Sequence, residues 1–301
     1  MAKHSALRRR FDRTLGYRIE AAAVFLLFGF LKLLPADTAS DFGGWVGRTL
    51  GPRLGASRKA ARNLERALPE LDGAAHRRIL MASWDNLGRT MAEYPHLGTI
   101  AAEWDKRVEM RGAEHIRALA EDGKPGLCIT GHFANWELAA LACHKQGLDI
   151  AIVYRAPNNP WVDRLLARAR GSLQAMLLPK GKEAARGLVA TMRRGGHVGI
   201  LVDQKLNEGI PVPFLGRDAM TGTLMADLAL RHDAPVVPIR VVRQPRGARF
   251  RIEALPPLDL PRGGDRSEAV TACMLAANRL LEGWVRETPG QWLWQHRRWP
   301  D

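Results

Sequence analysis

From about residue 108 onward, short apolar runs alternate with segments whose apolar positions recur every three to four residues. Strands are predicted at Leu127–Thr130, Ile150–Tyr154, Ala175–Leu178, Val198–Val202, Val236–Val242 and Arg249–Leu255. Helices are predicted between them at Leu138–Gln146, Trp161–Ser172, Glu183–Arg194, Thr223–His232 and Glu268–Arg286. Strands that are apolar throughout, separated by helices, belong to a sheet covered on both faces. The expected fold is therefore α/β: a mixed, mostly parallel sheet flanked by helices.

Two further helices precede this region. Ser57–Leu68 reads as a basic amphipathic helix with Ser57 as N-cap, stopped by Pro69. A longer one runs from a cap at Asp72 to about Tyr94, with Ile79, Leu80, Trp84, Leu87 and Met91 at helical spacing. The first twenty residues are basic, and an apolar run follows from Ala21 to Leu34, interrupted by Lys32 and stopped by Pro35. A helix spanning a bilayer needs about 20 apolar residues. A cleaved signal peptide, a single-span anchor and a helix at the membrane interface are the three readings, with a buried core helix as the bland alternative, and the cleavage site is poor. Residues 1–36 are expected to be a basic, membrane-associating helix of open insertion depth, and 37–301 the catalytic domain on the cytosolic side.

Composition sharpens this picture in two ways. The formal charge of +14 suits an anionic membrane face, phosphorylated lipids, an acidic carrier protein or nucleic acid. Nucleic acid is disfavoured, because the Arg and Lys residues are dispersed rather than interleaved with stacking aromatics. Three cysteines (Cys128, Cys143, Cys273) have no metal-ligand spacing and fit a reducing compartment.

Candidate chemistry gathers where strands end, the usual place for ligands in such sheets. Three polar clusters fall there: His132–Glu137, Tyr154-Arg155 and Asp203-Gln204. On an ideal helix His132 and Glu137 would lie about 140° apart. A turn at 131–135 is needed to bring the Glu137 carboxylate back to one imidazole nitrogen, where it would fix the tautomer and raise the basicity of the other. The bland reading is a solvated strand-to-helix turn. No nucleophile elbow, zinc motif, phosphate-binding loop or dinucleotide fingerprint accompanies this histidine. A general base acting on a substrate hydroxyl fits better than a covalent intermediate, and no metal or freely bound cofactor is expected.

The runs GHFANWE, VYRAPNNPWVDRLLARAR, LVDQK, VPFLGRDAMTGT and QWLWQHRRW, in this order, resemble the lipid A biosynthesis acyltransferase family over most of the chain. The resemblance implies a fold like that of glycerolphosphate acyltransferases. It implies transfer of a fatty acyl group from acyl carrier protein to a hydroxyacyl chain of a lipid A precursor, at the cytosolic side of the inner membrane. It places a catalytic pair on His132 and Glu137, an oxyanion-supporting arginine on Arg170 with Arg164 and Arg168 as competitors, and an aspartate on Asp203. Asn135, Tyr154, Arg155, Asn159, Asp163 and Arg164 become candidate substrate-binding residues. Physically, Asp203 would anchor either Arg170 or the His132 loop, and the 209–223 segment, as a loop, would line an acyl tunnel or pack under the core. The terminal Trp292, Trp294 and Trp299, with Arg297 and Arg298, suit either a membrane interface or a docked terminal element. Competing functions are acylation of another glycolipid such as a mannosylated phosphoinositide, nucleic-acid binding, and a non-catalytic membrane scaffold.

Overall fold

A computed structural model describes residues 2–154, 156–179, 181–261 and 263–300, with side chains for all of these except 2–14 and 182. The chain opens with α1 (Ala2–Leu33), α2 (Ala36–Leu50), α3 (Gly55–Ala67), α4 (Gly73–Glu93), and the short α5 (Leu97–Ala102) and α6 (Trp104–Arg107). The alternating region follows as β1 (Val108–Arg111), α7 (Ala113–Glu121), β2 (Gly126–Thr130), α8 (Leu138–Lys145), β3 (Ile150–Tyr154), α9 (Pro160–Arg170), β4 (Met176–Pro179), α10 (Lys182–Arg193) and β5 (His197–Leu201). It closes with β6 (Lys205–Phe214), β7 (Arg217–Thr221), α11 (Leu224–His232), β8 (Val236–Arg243), β9 (Phe250–Ala254) and α12 (Arg266–Glu287).

Seven strands form one sheet in the order β1-β9-β8-β2-β5-β3-β4. All neighbours pair in parallel except β8 with β9, so the sheet is mixed and mostly parallel, as expected. β2 is buried at every position because it lies at the centre with helices on both sides. Alternation along the strands sends Leu127, Ile129, Ala151 and Val198 into a core shared with α10, α11, α12 and the C-terminal tryptophans. Cys128, Ile150, Val237 and Ile239 enter a second core shared with α8.

Several expectations need correction. The 209–223 segment is not a loop: β6 and β7 form an antiparallel hairpin. Phe214 is buried against Trp292 and Trp299, so this hairpin packs under the core. Ser57 does not cap its helix; α3 begins earlier, and the Ser57 hydroxyl donates to the Gly51 carbonyl and accepts from Trp84 Nε1 at 2.8 Å. Asp72 does cap α4, accepting from the Ala75 amide at 2.6 Å.

The N-terminal run is helical, but among the described residues no helix is long and apolar enough to cross a membrane. The reason is local: Glu20 and Lys32 bound the apolar stretch at both ends. α1 instead rests on the body through one stripe, with Ala21 and Leu31 buried and Val24 and Phe28 half-buried. Phe25, Leu26, Leu27, Phe30 and Leu33 face outward, Leu33 with 85% of its surface exposed.

Candidate active site

Parallel pairing assembles the centre of the site. Thr130 on β2 stands opposite Leu201 on β5, and the Val202 amide donates to the Thr130 carbonyl at 3.0 Å. Two residues further along each chain, that register brings His132 beside Asp203. The Asp203 carboxylate takes the His132 ring at Nδ1 (2.7 Å) through one oxygen. Its other oxygen accepts the His132 backbone amide (2.7 Å) and the Trp292 indole N–H (2.9 Å). Asp203 has no solvent exposure. Burial opposes its ionisation, but the charge and hydrogen bonds of His132, with His296, outweigh burial and hold its carboxyl well below the usual range. With Nδ1–H donating to a carboxylate, Nε2 is the acceptor nitrogen, and the Gln204 side-chain nitrogen lies 3.1 Å from it.

The loop carrying His132 is clamped from two more sides. The C-terminal tail forms an isolated antiparallel bridge, Phe133 to Trp292, with the Leu293 amide on the His132 carbonyl and the Ala134 amide on the Gln291 carbonyl. From α4, the Thr90 hydroxyl donates to the Ala134 carbonyl at 2.9 Å. Ala134 itself has φ +47° and is fully buried. A non-glycine residue held in that region costs about 1–2 kcal/mol, and such strain concentrates at functional turns.

Glu137 does not orient the imidazole, contrary to the sequence reading. The turn through Ala134 leaves Glu137 directly ahead of α8, aimed at α9. Its two oxygens form a fork with Arg170, from Nε at 2.9 Å and Nη2 at 2.7 Å, and accept the Tyr94 hydroxyl at 2.5 Å. Arg170 also donates to the Tyr94 oxygen at 3.0 Å. Burial disfavours the Arg170 cation, yet these partners more than compensate and hold it protonated. Burial, reinforced by the Glu137 charge, pushes the Tyr94 phenol far above its ordinary value. Asp203 thus anchors the His132 loop rather than Arg170, and each carboxylate holds one functional group.

His132, Gln204, Glu137, Arg170, Tyr94 and Tyr154 line the mouth of a cavity of about 240 Å³. Below them its wall is apolar: Cys128, Ile150, Ile152, Gly199 and Ile239 from the sheet, Ala139, Ala140 and Cys143 from α8. Four expected substrate contacts lie elsewhere: Asn135, Asn159, Asp163 and Arg164. Asn135 is fully buried and donates to Glu93 at 2.9 Å, within the cluster that holds the turn on α4. Asn159 caps α9, accepting from the Trp161 amide and donating to the Tyr17 carbonyl at 2.8 Å. Asp163 lies on α9 away from the cavity wall, its Oδ1 buried without a partner among the described residues. Arg164 and Arg168 are exposed, so of the three arginines only Arg170 reaches the cluster. Arg155 lies outside the described residues.

Sequence reasoning missed Tyr94, Trp292 as a partner of Asp203, and His296. The His296 ring lies 5.7 Å from that of His132, with Nε2 facing the Asp203 carbonyl at 3.0 Å. The terminal Trp292, Trp294 and Trp299 are buried, as is Arg298, so that segment is a docked element and not a membrane-facing one. Its only advance signal was the density of Trp and His beside the last predicted helix.

The pattern describing bacterial lipid A biosynthesis acyltransferases matches residues 9–301. The chain is 29% identical over 248 residues to the lipid A biosynthesis lauroyltransferase of Escherichia coli K12, covering 79% of this chain and 76% of that one. It is 23% identical over 269 residues to the lipid A biosynthesis palmitoleoyltransferase of the same organism, covering 83% of each. Among solved structures it is similar to the 1-acyl-sn-glycerophosphate acyltransferase PlsC of Thermotoga maritima, at 13% identity and a TM-score of 0.39, covering 89% of this chain and 98% of that one.

Proposed function

The chain belongs to the bacterial lipid A biosynthesis acyltransferase family, and from that premise we propose that it moves a fatty acyl group from an acyl carrier protein thioester to the hydroxyl of a hydroxyacyl chain on a lipid A precursor. The observation that carries this reading is one histidine with its acceptor nitrogen at the mouth of an apolar cavity, and one arginine fixed on the same rim. The curated relatives are named for lauroyl and palmitoleoyl transfer, and an apolar cavity is the environment a long acyl chain requires.

In the proposed reaction the acceptor hydroxyl displaces Gln204 from His132 Nε2 and gives that nitrogen its proton as its oxygen attacks the thioester carbon. Asp203 holds the imidazolium that forms. The developing oxyanion faces Arg170, whose Nη1 has no partner among the described residues while Nε and Nη2 are fixed by Glu137. The carbon–sulfur bond breaks, the thiolate takes the proton back from Nε2, and the ester leaves. Glu137 and Tyr94 are positioning residues for Arg170. No metal or bound cofactor enters this scheme.

The N-terminal helix and the basic charge support a bilayer-bound enzyme with its catalytic domain on the cytosolic side of the inner membrane. An outward face of Phe25, Leu26, Leu27, Phe30 and Leu33 is stable only against lipid or protein. Trp45, 55% exposed on α2, extends this face through Phe42, with ring centroids 5.8 Å apart at each step from Phe30.

Mass spectrometry tests the chemistry. Wild-type protein, His132→Ala and Arg170→Lys are given acyl carrier protein thioesters and a tetra-acylated lipid A precursor. The wild type should add one acyl mass, His132→Ala none, and Arg170→Lys, which loses the planar fork, about 100-fold less. Equal transfer by wild type and His132→Ala removes the histidine from the reaction. Transfer by the wild type to a different glycolipid only would replace the acceptor.

A further inference from the structure

The cavity's polar mouth is accounted for by the proposed chemistry, but its depth is not. Side chains alternate across a strand, so the parallel register sorts the sheet wall into layers. Thr130 and Leu201 stand side by side at the mouth. One layer deeper, Cys128, Gly199 and Ile152 lie abreast. Ile150 lies one layer below, beside His197. The opposite wall is α8, with Ala139, Ala140 and Cys143.

Gly199 is the break in this wall. It sits inside a parallel strand between two paired neighbours, where glycine is unfavourable and other residues pack better. Its backbone does not call for glycine, because it is not among the glycines with positive φ. What calls for it is space. A Cβ at this position would stand 2.8 Å from Ile152 Cγ2 and 3.0 Å from Ile150 Cδ1. A glycine in a strand interior commonly marks close approach of another group, and here the space a side chain would take is filled by the tips of Ile152 and Ile150, which line the cavity that begins at His132.

We propose that Gly199 sets the length of acyl chain the enzyme accepts. The missing side chain lets Ile152 and the tip of Ile150 lie back against the strand, and these two side chains close the floor of the cavity; a larger residue at 199 would push them into it. The methyl end of the donor chain lies against this pair, with its thioester at the mouth. The inference rests on the acyl-transfer reading and goes beyond it by assigning chain selection to one strand position and its neighbour.

The test offers wild type, Gly199→Val and Ile150→Ala an equimolar mixture of acyl carrier protein thioesters graded in chain length, with the same lipid acceptor, and reads product masses. Each methylene shut out of an apolar site lowers its use about fourfold. The three carbons of valine should shift the product distribution to shorter chains, lowering the ratio of long- to short-chain product about 50-fold. Ile150→Ala should shift it the other way. Melting curves identify variants that fail to fold; if Gly199→Val is one, Gly199→Ala carries the same test with a smaller shift. An unchanged distribution in folded, active variants overturns the gauge and leaves acyl transfer standing. A wild type that transfers none of the chains overturns the transfer reading itself, and this inference with it.

Discussion

Replacing Asp203 by Asn is the most direct perturbation of the proposed base, because the change is nearly isosteric and its consequence follows from the hydrogen bonds. One Asp203 oxygen accepts two N–H groups, the His132 amide at 2.7 Å and the Trp292 indole at 2.9 Å. An asparagine must keep its oxygen there, since its NH₂ group would meet two donors. The NH₂ therefore faces His132 Nδ1, where the carboxylate oxygen sits at 2.7 Å. Nδ1 must then become the acceptor, and the ring proton moves to Nε2, the nitrogen facing the cavity. A histidine in that tautomer cannot take a hydroxyl proton. The equivalent inversion in a serine protease triad lowers kcat by about 10⁴, or about 5.5 kcal/mol in the barrier. Substrate affinity is unaffected by this argument, so KM should stay near its wild-type value. The assay is acyl transfer followed by mass spectrometry under saturating donor and acceptor, with a melting curve to show that Asp203→Asn remains folded. A folded variant with kcat within tenfold of wild type would refute the reasoning, because the base would then not depend on the Nδ1–H···Asp203 bond.

Two further predictions concern pH and the bilayer. Burial lowers the His296 pKa below 6.5, so the unfolded ring takes a proton that the folded one refuses, and stability should fall as pH drops below 6.5. The Asp203 carboxyl is held below 3.8, so its contribution is complete above that pH and is lost as pH falls through the folded value. Burial lowers His96 in the same way, so urea midpoints should decline in two stages, the upper one made shallower by His296→Asn and the lower one by Asp203→Asn; a flat wild-type profile from pH 7 to 5 contradicts the first assignment. For the bilayer, a Phe25→Ser, Leu26→Ser, Phe30→Ser triple variant removes at least about 3 kcal/mol of apolar transfer even with partial insertion. Its partitioning into anionic vesicles should drop about 100-fold, and equal flotation of both proteins would show that this face meets something other than lipid.

The sheet was legible because its strands are apolar throughout and separated by helical periodicity. The polar clusters at the ends of β2 and β5 were legible too, and the register brings them together. Which carboxylate serves which partner was not legible. Glu137 is near His132 in sequence, but Ala134 in the left-handed region swings it toward α9. Asp203 is 71 residues away and arrives only through the β2–β5 register. The β6–β7 hairpin was masked by its Gly and Pro residues, which also signal loops. The C-terminal tail was ambiguous because Trp and Arg serve an interface and a packed core equally well; pairing with the His132 loop decided it, and pairing is not a property of a local sequence.

The displaced Asn159 points to a coupling between the outward helix and the chemistry. Arg170 stands at the last turn of α9, and Asn159 is the cap at its first. That cap is tied to α1 through the Tyr17 carbonyl at 2.8 Å and Glu20 at 3.1 Å. Tyr94, the other ligand of Glu137, opens the short turn Tyr94–His96. That turn is also tied to α1, with Lys32 Nζ on the Pro95 carbonyl at 2.9 Å and His96 Nε2 on the Leu31 carbonyl at 2.9 Å. The two elements that position Arg170, the proposed oxyanion group, are thus bolted to the same helix, one at its middle and one at its C-terminal end. His132 and Asp203 are held mainly by β2, β5 and the C-terminal tail, with Thr90 of α4 on the Ala134 carbonyl. A shift of α1 would act first on Arg170 through the α9 cap, and less on the proposed base, which β2 and β5 hold. If α1 lies on a bilayer as proposed, the enzyme freed from vesicles should show a lower kcat in the acyl-transfer assay, with the pH dependence set by the His132–Asp203 pair unchanged; equal kcat with and without vesicles contradicts the coupling.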